Sequence, residues 1–255
     1  MKIVVCIKPV KSELVFPNEL RNEAFVMNPY DLYALEECIK LKKQTDCSIA
    51  CVCMGPRDSE CILTKALAMG TDEAVLLNDA AFIGSDTIAT AYILSKAVSK
   101  LGYVDLVVCG DKSIDGETGQ VVYGISEHLK WFCASKVENV IEVSKEQIIL
   151  QRKDNDVKTT VRFSMPAVIS FHDFKLNQPN INLVALKKAK RKAINVWGAN
   201  DLEADTCKCG TNGSKTKVLN IKSEFIKKKS TAVEGTTIDK VNLIFDIIYG
   251  RIGDR

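Results

Sequence analysis

Hydrophobic residues fall in short unbroken runs, and stretches with helical spacing separate those runs. Lys2–Lys8 (KIVVCIK) is apolar through its middle, as a strand buried on both faces requires. Ser48–Met54, Glu73–Leu77 and Asp105–Cys109 repeat the pattern. Two brief extended pieces are expected around Glu13–Phe16 and Ala24–Met27. Asn28-Pro29-Tyr30-Asp31 then opens a helix. Asn28 suits its cap, Pro29 its first position, and Asp31 the positive end of its dipole. That helix is expected to reach about Gln44, with Leu32, Leu35 and Ile39 on one face. Further helices are expected over about Asp58–Met69, ended by Gly70, over Ser85–Leu101, ended by Gly102, and over Glu117–Leu129. Strands alternating with helices predict a parallel sheet with crossover helices.

The pattern changes after residue 134. Val137–Val143, Ile148–Arg152 and Thr159–Phe163 read as strands, with Asp154-Asn155-Asp156 turning between the last two. Ala167–Phe171 is one more apolar strand. These add an antiparallel ribbon to the α/β sheet. Residues 175–182 are polar and read as a loop, and five of the six positions 187–192 are basic, a solvated helix face or a contact for phosphate or an acidic partner. Residues 198–236 are rich in Gly, Ser, Thr and Lys. Thr237–Tyr249 is amphipathic, with Ile238, Val241, Phe245 and Ile248 in register and Gly250 closing it. The expected organisation is a sheet domain over 1–197 and a C-terminal arm over 198–255.

Composition narrows the class. An apolar fraction of 46% in 255 residues excludes general disorder. A net charge of +3 gives no case for a nucleic-acid partner or a membrane surface. Of the ten cysteines, Cys6, Cys51, Cys53 and Cys109 sit inside apolar runs and read as buried thiols, not as a disulfide framework. The opening run is too short for a signal segment, and no run approaches the ~18 apolar residues of a membrane span. Together these features point to a reducing cytoplasm.

Ligands of open parallel sheets bind beyond the carboxyl ends of the strands. Four loops qualify: 8–12, 54–57, 78–85 and 110–121. The last reads Gly110-Asp111-Lys112-Ser113-Ile114-Asp115-Gly116-Glu117-Thr118-Gly119-Gln120-Val121. It follows a buried strand and opens a helix, so its glycines allow close approach and helix amides face the loop. Thr118 and Gln120 add side-chain donors. Spacing alone leaves a phosphate cradle and an ordinary Gly-rich turn both open. The usual dinucleotide fingerprint, the P-loop and the G-x-S-x-G elbow are absent from the sequence. Of the two histidines, His128 falls late in a helix, where a surface or capping role is expected. His172 ends a strand, and a structural role is favoured there too. Cys207-Lys208-Cys209 offers two ligands where a zinc site needs four.

Val26 through Glu37 (VMNPYDLYALEE), Lys65 through Asp72 (KALAMGTD) and Gly110 through Gln120, taken in order, resemble the beta (small) subunit of an electron-transfer flavoprotein. KIVVCIKPV at the start, the turn at Met54–Pro56, ALKKAKRK at 185–192 and GSKT at 213–216 follow the same order. The resemblance covers nearly the whole chain. It implies a Rossmann-like domain that holds an adenine nucleotide, with contacts at Cys6, at Asn28, Pro29, Tyr30 and Asp31, at Met54, and at Gly110 through Val121. It implies a heterodimer in which a C-terminal arm embraces an alpha subunit carrying the main redox FAD. It also implies docking of a flavin-dependent dehydrogenase through the loop 177–184, with Leu183 as the anchor. Gly116-Glu117-Thr118-Gly119-Gln120-Val121 and MNPYDLYALEE resemble the electron-bifurcating branch, in which the small subunit holds a second FAD, reduced by NADH, and ferredoxin receives the low-potential electron. AMP is the alternative. Val122-Tyr123, Lys130-Trp131-Phe132 and Asp154-Asn155-Asp156 depart from that branch. Two other classes stay in view: a nucleotide-sensing module without redox role, and a hydrolase using Asp111, Asp115 and Glu117.

Overall fold

A computed structural model describes residues 1–16, 24–176, 179, 181–217 and 234–253, and within the last helix the side chains up to residue 249. The chain divides into two units, Met1–Lys217 and Val218–Arg255.

In the first unit, Lys2–Ile7 (β1) leads to a small antiparallel pair, Pro9–Lys11 (β2) and Phe25–Met27 (β3), with one helical turn at Ser12–Val15 (α1). That turn replaces the extended piece expected at Glu13–Phe16; the Phe16 amide bonds the Ser12 carbonyl at 2.9 Å and closes it. Pro29–Gln44 (α2), Ser48–Met54 (β4), Glu60–Met69 (α3), Glu73–Leu77 (β5), Thr87–Lys100 (α4), Leu106–Gly110 (β6) and Val121–Leu129 (α5) then alternate strand with helix. The ribbon strands are Phe132–Val143 (β7), Gln147–Asp154 (β8) and Val157–Ser164 (β9), and Ala167–Phe171 (β10) returns to the sheet. Leu183–Ala189 (α6), Asn195–Trp197 (β11) and Gly210–Gly213 (α7) complete the unit.

The sheet runs β11-β5-β4-β1-β6-β10-β7-β8-β9. Its first seven strands are parallel; β8 and β9 are antiparallel additions. This is the expected Rossmann-like α/β fold with its ribbon. Side chains alternate across β1: Ile3, Val5 and Ile7 pack with Leu32, Leu35, Ile62 and Leu63 of α2 and α3. Val4 and Cys6 face the opposite layer, with Ile93, Val98, Val122 and Ile125 of α4 and α5. α4 and α5 meet closely because Gly124 has no side chain: a Cβ there would lie 2.5 Å from that of Ala91.

β7 starts at Phe132, before the expected Val137, because its first residues pair with β10, Phe132 opposite Ala167. α5 starts at Val121 and not near Glu117, since Glu117 (φ 50°) and Gly119 (φ 61°) are left-handed and interrupt a right-handed helix. Residues 198–217 belong with the sheet and not with an arm beginning at 198. Leu202 and Cys209 are buried, and the Tyr92 hydroxyl accepts from the Asp205 amide at 2.9 Å.

The second unit contributes the helix Thr237–Gly253 (α8), where Ile238, Val241, Phe245 and Ile248 are all exposed. Among the described residues no helix is long and apolar enough to cross a membrane.

Candidate functional site

Strand order reverses between β1 and β6: β4 and β5 extend the sheet on one side of β1, and β6 begins the other. The carboxyl ends of such neighbours leave a crevice. Asp31, in the first turn of α2, closes the floor of this one. Its Oδ2 accepts from the Lys8 amide at 2.8 Å and its Oδ1 from the Gly110 amide at 3.0 Å, so one carboxyl holds both strand ends. Burial pushes that carboxyl up to about 7, against the pull of the two amides, Asn28 and Lys8. Position 110 must be glycine, because a Cβ would sit 2.5 Å from Asp31 Oδ1 and 2.6 Å from Tyr30 Cβ.

Asn28 does not cap α2 with its side chain. Its Nδ2 instead donates to the Lys112 carbonyl at 2.9 Å, and its Oδ1 accepts from the Ile114 amide at 3.2 Å. The Asn28–Asp31 stretch therefore positions the loop after β6. Lys8 Nζ reaches Asp115 Oδ1 at 2.7 Å and Ser113 Oγ at 3.3 Å. Burial raises the Asp115 carboxyl, but hydrogen bonds from Lys8 and Ser113 outweigh it and hold the group below its ordinary value. Lys112 Nζ lies 3.6 Å from Glu117 and 5.8 Å from the centre of the Tyr30 ring. Asp111 turns toward β10, accepting from Ser170 Oγ at 3.3 Å with His172 Nδ1 3.8 Å away. The three loop carboxylates thus have three different partners.

These elements enclose a cavity of about 300 Å³. Cys6, Asn28, Asp31, Met54, Gly110 to Ser113, Gly116 and Thr118 to Val121 line it. Pro29, Tyr30, Ile114, Asp115 and Glu117, also expected there, stand outside the lining. Sequence reasoning missed Ser85, Asp86, Thr87, Thr90 and Leu94, a wall contributed by α4 and the residues before it. The signal was present in part, since the loop 78–85 ends at the carboxyl side of β5. Leu183 is the first residue of α6, 74% exposed and away from the cavity lining. Asn182 caps that helix by accepting from the Val184 amide at 2.8 Å; residues 177, 178 and 180 of the expected docking loop lie outside the described residues.

The cavity suits a nucleotide chemically. Cys6, Ile7, Met54, Leu94, Cys109 and Val122 provide an apolar wall. The first-turn amides of α5 have no intrahelical partners, and Gln120 does not cap them with its side chain. His128 is exposed, edge-on to Tyr92 at 5.5 Å, as a surface role requires. Among the described residues no group of three or more His, Cys, Asp or Glu converges for a metal.

Fold and cavity together define a Rossmann-like α/β protein with a ligand crevice at its topological switch point. A family model described as "Electron transfer flavoprotein domain" matches residues 20–202. The chain is 34% identical over 252 residues to the electron transfer flavoprotein subunit beta of Clostridium acetobutylicum, covering 94% of this chain and 93% of that one. It is 33% identical to the protein FixA of Azotobacter vinelandii, covering 95% and 92% of the two chains. It is 31% identical to the caffeyl-CoA reductase-Etf complex subunit CarD of Acetobacterium woodii, covering 94% and 95%. The chain belongs to the electron transfer flavoprotein family, among its beta subunits. Its function class is accordingly electron transfer within a complex of subunits.

Proposed function

We propose that this chain is the small subunit of a heterodimeric electron-transfer flavoprotein and holds an adenine nucleotide in the crevice between β1 and β6. The observation that carries the reading is the cavity itself: apolar on one side, bounded on the other by a glycine-containing loop and the uncapped start of α5. Adenine fits the apolar wall, and a phosphate group fits the amides of the loop and helix start. The separation of Asp111, Asp115 and Glu117 onto different partners favours a carrier over a hydrolase, which needs carboxylates converging on one water or metal.

We take the nucleotide to be FAD, on the resemblance of Gly116–Val121 and Val26–Glu37 to the bifurcating branch, with AMP as the alternative. A flavin supplies one- and two-electron chemistry when bound, and the protein's share is to position it and set its electrostatics. The cavity's 300 Å³ is at the lower limit for small-molecule sites, so the flavin half of FAD would extend beyond its mouth. On this reading the alpha subunit covers the exposed apolar face of α8, and a flavin-dependent dehydrogenase docks at Leu183. NADH is the reductant and ferredoxin the low-potential acceptor. The work is done in the cytoplasm.

The test is co-expression with an electron transfer flavoprotein alpha subunit, acid release of bound nucleotide from the purified heterodimer, and chromatographic identification. Two FAD per heterodimer support the bifurcating reading; one FAD and one AMP replace it with the alternative. A purified heterodimer without nucleotide at this site overturns the proposal.

A further inference from the structure

We propose that Asp86 is a positioning residue that couples nucleotide binding in the cavity to the anchoring of residues 209–217, where the chain leaves the sheet unit. The inference rests on the nucleotide reading of the cavity and adds a connection which that reading does not contain.

Asp86 lines the cavity but has no acceptor left for a ligand. Its Oδ1 accepts from the Ile88 and Ala89 amides at 2.9 and 3.1 Å, which caps α4. Its Oδ2 accepts from the Lys215 and Thr216 amides at 2.7 and 3.0 Å. A carboxylate has about four lone-pair sites, and all four are taken. Burial pushes this carboxyl up, and the four amides outweigh it and hold the group below its ordinary value. The Asp86 amide donates to Ser214 Oγ at 2.8 Å, so the same residue grips the segment from backbone and side chain.

The segment is stitched to the α4 approach along its length. Thr211 N donates to the Ile83 carbonyl at 3.1 Å, and Gly210 N to Ser85 Oγ at 3.1 Å. Gly84 is left-handed, and a Cβ there would lie 2.5 Å from Thr211 Cγ2, so the two strips of chain lie in direct contact. On the cavity side, Thr87 Oγ1 donates to Gln120 Oε1 at 3.2 Å, joining the first turn of α4 to the end of the glycine-containing loop. Hydrogen bonds joined by the first turn of α4 therefore connect Lys215 and Thr216 through Asp86 and Thr87 to Gln120. Nucleotide that holds the loop and the α4 wall holds the segment, and by reciprocity release of the segment weakens the nucleotide.

The experiment uses the full chain stripped of nucleotide, with AMP and FAD as separate probes. Limited trypsin digestion is followed by mass spectrometry at Lys215 and Lys217, and nucleotide affinity is measured by calorimetry. Saturating nucleotide is expected to slow cleavage at these two sites at least fivefold in the wild type. Ser214→Ala, at a residue that does not line the cavity, removes the acceptor of the Asp86 amide together with the hydroxyl's own donation to the Gly84 and Gly210 carbonyls. It is expected to speed cleavage and to weaken nucleotide binding about fivefold, on the order of one net hydrogen bond passed on to the cavity. Asp86→Asn, which leaves one oxygen for four amides, is expected to do both more strongly and to abolish protection by nucleotide. Wild-type protein that binds nucleotide without protection overturns the coupling, and this arm needs no variant to fold. Ser214→Ala that is cleaved faster but binds nucleotide normally overturns it too. A wild type that binds neither probe overturns the nucleotide reading itself, and the coupling with it.

Discussion

Asp31→Asn isolates the contribution of the carboxyl that ties β1 to β6. Burial raises this group from 3.8 to about 7 in the folded chain. A raised carboxyl binds its proton more tightly when folded than when unfolded. The stabilisation is therefore fully present below about pH 4 and is lost as pH rises through about 7. Between pH 5 and 8.5 the loss from this one group is roughly 2–3 kcal/mol, at about 1.4 kcal/mol per pH unit up to the folded-state value. Asparagine preserves the shape but not the titration. It also turns an amide NH2 toward one of the two backbone donors now held at 2.8 and 3.0 Å, and a buried donor left unpaired costs about 1–3 kcal/mol. Urea unfolding of both proteins across this pH range checks the reasoning. The variant is expected to be the less stable at pH 5, and the gap is expected to narrow by roughly 2–3 kcal/mol toward pH 8.5. Parallel stability curves for the two proteins would show that Asp31 does not titrate in this window, and the argument from burial would fail.

Gly116→Leu is expected to leave the fold intact, because a Cβ there meets only Ser113 Oγ at 3.5 Å, while the side chain enters the cavity; retention of nucleotide by the heterodimer should fall ~tenfold or more, and an unchanged content would remove Gly116 from the site. Gly119→Leu should also lose nucleotide, but with a lowered melting temperature, since its φ of 61° strains any side chain. Leu183→Ala should slow electron transfer to the dehydrogenase near tenfold with flavin content and melting temperature unchanged, since this side chain is 74% exposed; normal partner-concentration dependence would refute the docking role. Truncation after Lys217 should leave the sheet unit folded by circular dichroism and abolish stable pairing with the alpha subunit; a heterodimer that survives gel filtration would show that residues 218–255 are not the clasp.

Elements buried on both faces were the most legible from sequence. β4 and β10 have the bounds that their continuous apolar runs predict, because a central parallel strand buries both faces, as it does for Ile49–Cys53 and for all of AVISF. The cavity's floor and loop were legible through the strand-end rule. Roles set by distant backbone were not. Asn28 has the local signature of a helix cap, but its partners are Lys112 and Ile114, which local propensity does not see. Asp86 has the same signature and does cap α4, yet half of its carboxyl serves residues 215 and 216. Residues 198–217 looked like an arm because their composition is polar. They pack instead through a few scattered apolar side chains, Leu202 and Cys209 among them, and through backbone amides, as at Gly210 and Lys215, and such bonds leave no trace in hydrophobic periodicity.

The charges around the cavity constrain how an anion is held there. Lys8 and Lys112 line the cavity, and each already faces a carboxylate, Asp115 at 2.7 Å and Glu117 at 3.6 Å. Their fields largely cancel, so neither acts as a free counter-ion for a phosphate group. The partial positive charge at the start of α5 is not cancelled in this way, because the Gln120 side chain does not cap it. On the proposed nucleotide reading, recognition would rest on backbone amides and on the apolar wall of Met54, Leu94 and Val122, which discriminate by shape and not by net charge. An enzyme that cleaves phosphate needs charge that grows stronger toward its transition state. A carrier needs its nucleotide held alike before and after electrons pass, and on the proposed reading paired lysines with fixed amides would meet that requirement.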